Sequence, residues 1–517
     1  MEILPTPTKG TADWRDYRAV KLANGLTLLL VHDATSRNSS AACAVSVGAS
    51  SDPPSKPGLA HFCEHMCFLG SEKYPGENHY KELLSLHGGG SNASTSMDYT
   101  NYKFHILAPF FEEALDVFSN FFVAPLFTQD GTGREINAVD SEDSKNRMID
   151  GRRRLQVVKS LIPENQHVYQ KFSTGNISTL VHGEPNTSTS TSSSTSTPTF
   201  SSPSDDSSDV KSAGTDEEIK QVRESLLFFH SLHYSPSSMT VVVVGPQSLD
   251  DLQRFTVPKF QLVPPTPPQT LISSLSDSFN SSKTKVEILE AHKNKFPLTA
   301  SAKIPPAKAF FPNRKLLTML PIKPQRKLKV SFPIPPQRNN KTSSPLRLIS
   351  HLLGHEGIGS SFAHLQDAGL VTSLCSGSSI NDATMAMFSI DLTLTEEGEE
   401  KWQDAAGIIF MHIRLLATAA ENKKDSDLLQ ALWTEVSERP FWKTLAMMAT
   451  STTKLTHPIR FARSFRSLFS APPSLKMRLA SLGAGEEAPH DQLRPNPSTL
   501  GLLDSAQPGQ QLVILRH

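Results

Sequence analysis

Apolar and polar positions alternate along the chain in two distinct periods. Between residues 17 and 50, turn signals separate apolar stretches. Leu26-Thr27-Leu28-Leu29-Leu30-Val31 follows an Asn24-Gly25 turn, and Ala41-Ala42-Cys43-Ala44-Val45-Ser46-Val47 precedes Gly48, which predicts two β-strands running antiparallel. Helical spacing follows at 58–70 and 78–87, a strand at Tyr99 to Leu107, and helices at Phe110 to Phe122 and Arg134 to Ile149. Leu115, Phe118 and Phe122 recur at helical spacing and are expected to pack in a core rather than hold a cofactor. A helix at 216–233 leads into the strand Met239 to Val244. Further on, Leu328 to Phe332 and Met385 to Thr395 read as strands flanked by helices near 346–368 and 398–419, a loose repeat of the first pattern. After about residue 465 the periodicity fades.

Two segments break these patterns. A Ser/Thr/Asp tract from Asn186 to Asp209, within an insertion at 186–212, has too few apolar residues to offset the entropy of ordering it, so disorder is expected there. A Pro- and Ser-rich stretch at 258–308, including Pro264-Pro265-Thr266-Pro267-Pro268, reads as a linker. The chain is therefore predicted to be α+β, with one domain at 1–257 and a second of similar design at 309–517.

Composition excludes some classes. With 51 basic and 51 acidic residues the formal charge is zero, so no basic surplus argues for nucleic acid or an anionic membrane surface. The longest aliphatic runs, Leu28 to Val31 and Val241 to Val244, fall far short of the ~20 apolar residues of a spanning helix. Four cysteines (Cys43, Cys63, Cys67, Cys375) are too few for a disulfide framework in 517 residues, and the first residues lack the pattern of a signal or transit peptide. A reducing, cytoplasmic setting is expected.

The chemistry concentrates in His61-Phe62-Cys63-Glu64-His65. On a helix, residues four apart project from one face a turn apart, so His61 and His65 can offer two nitrogens to one zinc ion. Glu64 flanks that face, where a carboxylate can accept a proton from an activated water. The alternative is a helix with two packed histidines. Cys63 and Cys67 project away from the histidine face, which predicts packing. A catalytic zinc needs a third protein ligand and an open position. Arg134-Glu135-Ile136-Asn137-Ala138-Val139-Asp140-Ser141-Glu142 is the best source. Its Glu135 and Glu142 are two helical turns apart, so one can ligate while the other supports the site. Acidic residues on a helix are more often a solvated face.

These two segments together resemble the inverted zinc motif of the insulin-degrading-enzyme (insulysin) branch of the pitrilysin family. The likeness extends to Ser91-Asn92-Ala93, Thr100-Asn101-Tyr102, Phe172-Ser173-Thr174-Gly175-Asn176, Ser331-Phe332-Pro333-Ile334-Pro335 and Gly354-His355-Glu356-Gly357. It implies two similar domains, each a mainly antiparallel sheet covered by helices, the first catalytic and the second not. It also implies one zinc held by His61, His65 and Glu142, with Glu64 as general base and Glu135 as supporting carboxylate. A peptide substrate would add as a strand beside Asn92, Ala93, Ser94 and Thr95. Where this branch usually has an aromatic residue after Asn-Ala, this chain has Ser94. His351 and His355, followed by Glu356, are expected to serve structure or peptide contact rather than a metal.

The function so implied is zinc-dependent hydrolysis of short or partly unfolded peptides. Full-length members of the branch have about twice this length, in two halves that close around the substrate. Three readings of the shorter length stay open: a truncated gene product, a half that pairs with a separate chain resembling the other half, or a homodimer. A poorly active peptide-binding subunit is the alternative, and a mitochondrial processing peptidase subunit is a third reading, disfavoured by the N-terminus. Glu64 is the feature that favours catalysis, since a subunit freed from it need not keep that carboxylate.

Overall fold

In the computed structural model, residues 1–7, 9, 13–162, 167–183, 214–264, 315–334, 336, 345–381, 386–421 and 513–516 are described. The whole of the Ser/Thr-rich insertion at 186–212 and most of the 258–308 stretch lie outside them, as does the chain from 422 to 512. Two units are present, one formed by residues 1–7 with 14–302 and the other by 8–13 with 303–517.

The first unit is built on seven strands, β1 (Glu2–Leu4), β2 (Asp16–Lys21), β3 (Thr27–His32), β4 (Asn38–Val45), β5 (Gly90–Thr95), β6 (Thr100–Leu107) and β7 (Met239–Gly245), in the order β1-β2-β3-β7-β4-β6-β5. Only β3 and β7 pair in parallel. Strict alternation of buried and part-buried residues in β4 leaves one face of the sheet for the core. Helices α1 (Leu59–Met66), α2 (His79–Leu86), α3 (Phe111–Val123), α4 (Gln129–Arg147), α5 (Asp150–Ser160), α6 (Ile177–Leu180), α7 (Asp216–His233) and α8 (Leu249–Phe260) complete the unit. The phenylalanine stripe of α3 is core as expected. Phe118 lies 5.0 Å from Phe104 of β6 and 5.4 Å from Phe122, ring centroid to centroid, in edge-on or tilted contacts.

The predicted strands β3 and β4 do run antiparallel, but they are not neighbours, because the valine-rich β7 inserts between them and pairs with both. The antiparallel neighbour of β3 is β2, joined through the Asn24-Gly25 turn, where Gly25 takes the left-handed conformation at φ 95°. Asp16-Tyr17-Arg18-Ala19-Val20-Lys21 is too polar to signal a strand by itself. α4 starts five residues before the predicted Arg134, capped by the Thr128 side chain, which accepts from the Gly131 N–H. Gly131 and Gly133 in its first turns mask that start. At the other boundary, α8 continues through Pro258 to Phe260, so the expected break does not begin at Pro258.

The second unit holds a five-stranded, mainly antiparallel sheet, β8 (Lys315–Thr318), β9 (Lys327–Ile334), β10 (Val371–Asn381), β11 (Ala386–Leu394) and β12 (Val513–Arg516), in the order β10-β11-β9-β12-β8. Its core joins Val330, Phe388 and Ile390 of the sheet to Leu348, Ile349, Leu365 and Ile409 of the helices. The helical stretch near 346–368 is two helices, Pro345–Leu353 and Ser361–Asp367, interrupted where Gly354, Gly357 and Gly359 disfavour helix. β10 escapes sequence reading because this edge strand is rich in serine and largely exposed.

Candidate active site

The His-x-x-Glu-His segment forms α1, an eight-residue helix with an unusual start. Its leading amides are held by Asp52, which accepts from the Gly58 N–H and the Ala60 N–H at 2.7 Å each. A buried carboxylate at this end also suits the helix dipole. Gly58 is left-handed at φ 94°, and a Cβ there would stand 2.2 Å from the Gly175 Cα. That close approach lays the 173–176 segment over the start of α1. Ile177 N–H donates to Asp140 of α4, and Asn176 Nδ2 donates to Asp143, so the same segment is also tied to α4.

The consequence falls on the histidines. Thr174 O accepts from His61 Nδ1 at 2.7 Å, and Glu135 Oε1 accepts from His65 Nδ1 at 2.7 Å. Each ring therefore presents Nε2 to the cleft. The two Nε2 atoms are 3.3 Å apart, and Glu142 Oε2 is 3.7 Å from that of His61 and 3.5 Å from that of His65. Three donor atoms converging in this way repel unless a proton or a cation lies among them. Ligand atoms around a tetrahedral zinc with bonds near 2.0–2.1 Å sit roughly 3.3–3.4 Å apart, so the donor set fits such an ion with little movement.

Electrostatics agree with the geometry. Burial lowers the pKa of His61, helped by the charges of His65 and Arg152, which keeps that ring neutral. For His65, burial opposes the charged ring, but hydrogen bonds with Glu135 and Glu142 outweigh it and raise the pKa to about 9. The hydrogen bond with His65 leads in lowering Glu142 to about 2, so its carboxylate is charged. Glu64 is buried, and burial raises its pKa, while Thr95 Oγ1 donates to its Oε2 at 2.5 Å and partly offsets the rise. A raised carboxylate beside a cation site is suited to exchanging protons.

All nine residues singled out from the sequence, His61, Glu64, His65, Asn92, Ala93, Ser94, Thr95, Glu135 and Glu142, line one cleft of about 480 Å³. β5, which carries Asn92 to Thr95, ends the sheet and pairs only with β6 among the described strands, leaving one edge open. Thr95 is committed to Glu64 rather than free for a ligand. Sequence reading missed the Thr174 carbonyl, the Asp52 cap and Asn146, whose Nδ2 donates to Glu142 Oε1 at 3.4 Å. Asn146 left a trace in its spacing, four residues after Glu142 on the same helix face, and Thr174 lay within the 172–176 segment that carried part of the resemblance, without a role being read from it. The cysteines of α1 pack: Cys63 and Cys67 are buried, and Tyr102 Oη donates to Cys67 Sγ at 3.6 Å. His351 and His355 have ring centroids 6.1 Å apart and belong to no metal-binding group among the described residues.

Comparison with known proteins follows the same lines. Residues 27–164 match the family model "Insulinase (Peptidase family M16)" and residues 221–425 match "Peptidase M16 inactive domain", together more than half of the chain. The insulin-degrading enzyme of Homo sapiens is 37% identical over 79% of this chain, and the A-factor-processing enzyme of Saccharomyces cerevisiae is 35% identical over 80%. Each match spans only 34% of the relative, so the chain covers about a third of these proteins. In fold, pitrilysin superposes with a TM-score of 0.65 at 23% identity, over all of this chain and 46% of pitrilysin. The first half of the periplasmic protease PqqL from Escherichia coli gives 0.58 at 13% identity, covering 99% of this chain and 92% of that one. The chain thus belongs to the insulinase and pitrilysin family of peptidases, family M16, and matches the insulin-degrading branch within it.

Proposed function

We propose that the chain acts as a zinc-dependent endopeptidase on short or partly unfolded peptides, with the zinc held by His61, His65 and Glu142. One observation carries the reading: three donor atoms converge within 4.8 Å of one another, in the same cleft as the buried Glu64 carboxylate. When bound, zinc supplies Lewis-acid activation of a water and of the peptide carbonyl. Glu64 takes the proton of the attacking water and returns it to the leaving nitrogen, a role that a raised carboxylate pKa favours. Thr95 fixes the Glu64 oxygen it bonds, leaving the other oxygen for the proton. Glu135 and Thr174 hold the two imidazoles in the orientation that ligation needs. The open edge of β5 at Asn92, Ala93 and Ser94 takes the peptide as an added strand, so main-chain pairing supplies affinity with little demand on sequence.

The remaining parts of the reading are a second copy or a separate chain that closes over the cleft, and a cytoplasmic site of action. Four free cysteines suit a reducing compartment. No helix among the described residues is long and apolar enough to cross a membrane. The test is zinc content by mass spectrometry together with cleavage of a quenched fluorescent peptide, beside Glu64→Gln. One zinc per chain is expected in both proteins, with turnover lowered roughly 10²–10⁴-fold in the variant. Zinc without turnover in the unaltered chain would favour a peptide-binding subunit, and a folded chain free of zinc would refute the metal assignment.

A further inference from the structure

Helix α5 carries three consecutive arginines, Arg152, Arg153 and Arg154, and they do not have the same surroundings. Arg153 pairs with Asp150 at 3.0 Å, and Arg154 is also engaged. Arg152 alone lines the cleft of His61, Glu64 and His65, and its guanidinium makes no hydrogen bond or ion pair with any described residue. Lys81 of α2 lines the same cleft, is exposed, and is likewise unpaired among the described residues. Other cations nearby are committed, as Arg134 is to Glu77 and Arg147 to Asp143. The carboxylates of the cleft are committed as well: Glu64 to Thr95, Glu135 to His65, Glu142 to the imidazole pair and Asn146. Two cations without internal partners therefore face whatever enters. The exposed β5 side chains in the same cleft, Asn92 and Ser94, are polar and uncharged and offer no competing anion, while Phe68, Leu69 and Ala93 supply its apolar lining.

We propose that Arg152, assisted by Lys81, is a specificity-determining residue that selects peptides with an Asp or Glu side chain adjacent to the scissile bond. The inference rests on the peptidase reading and narrows its substrate class to acidic peptides. A planar guanidinium donates two parallel hydrogen bonds to a carboxylate, and the ammonium of Lys81 adds charge without geometry. One charge-assisted hydrogen bond corresponds to a preference of roughly 10-fold for Glu over Gln.

The experiment uses quenched fluorescent peptides identical except for Glu, Gln or Lys on either side of the bond cut, with the cut located by mass spectrometry. The readout is the Glu-to-Gln ratio in kcat/KM, and the same ratio in Kd measured by anisotropy on the zinc-loaded Glu64→Gln protein. The ratio should fall to near one in the double variant Lys81→Gln/Arg152→Gln, persist in Arg152→Lys, and give way to preference for the Lys peptide in Arg152→Glu. A ratio near one in the unaltered chain, or one that survives the double variant with zinc content and circular dichroism intact, overturns the proposal. Preference in Kd without any turnover would sustain it while sinking the peptidase reading, and turnover without preference would do the reverse.

Discussion

Among the described residues Glu135 makes one side-chain hydrogen bond at the site, the 2.7 Å bond it accepts from His65 Nδ1. That bond sets which nitrogen of His65 carries a proton and where its other nitrogen points. Glu135→Gln keeps the size of the side chain and loses the charge, so zinc affinity is expected to drop 10–100-fold, as measured by competition with a chromogenic chelator. A second residue acts chiefly through burial, which outweighs the hydrogen bond of its ring with the Phe121 backbone. His230 of α7 lies against Tyr234 and Phe127, its Nε2 has no hydrogen-bond partner among the described residues, and burial pulls its pKa down to about 3. Above pH 6.5 neither the folded nor the unfolded chain protonates this ring. As pH falls from there toward 3, only the unfolded chain takes up the proton, so stability drops across that window. At pH 5.5 the loss should be about 1.4 kcal/mol. Urea midpoints at pH 7.5 and 5.5 should therefore differ less for His230→Phe than for the unaltered chain, and equal differences would remove His230 from the acid response.

Among the elements, α1 depends most on its surroundings. Eight residues are too few for a stable helix in water, so its shape comes from packing and from the Asp52 cap. The approach of Gly58 to Gly175 is what lets the 173–176 segment reach His61. Gly58→Ala would require both a left-handed alanine and a backbone shift. It is expected to destabilise the protein by more than about 2 kcal/mol and to weaken zinc binding along with it. Gly151 in α5 is the contrasting case. It has no positive φ and nothing within 4 Å of an added Cβ, so Gly151→Ala should stabilise by roughly 0.5–1 kcal/mol. Thermal melts of the two variants check both signs.

For the molecule as a whole, the proposed ligands join elements that are distant in the chain, α1 and α4. An ion that binds there binds only the folded state. Zinc at a hundred times its Kd should stabilise by about 2.7 kcal/mol, and a chelator should take that away. Hydrogen exchange should place the loss at α1 and α4 and spare β9 to β11 of the second unit. Loss spread evenly over both units would argue against a site confined to the first.

By itself the sequence determined the class of fold, the phenylalanine core of α3, and the shared facing of His61 with His65 and of Glu135 with Glu142, because residues on one helix have a fixed spacing whatever surrounds them. It also pointed to β5 through residues 92–95. The tertiary structure alone decided that β7 separates β3 from β4, that Thr95 serves Glu64, and that Thr174, Asp52 and Asn146 orient the donors. It also decided that, of Arg152, Arg153 and Arg154, only Arg152 lines the cleft. The strand order and the bonds of Thr95 and Thr174 join segments tens of residues apart, and a sequence pattern carries local periods but not the distances across a folded chain; Asp52 and Asn146 bond groups within eight residues, where the local fold chooses among several near partners.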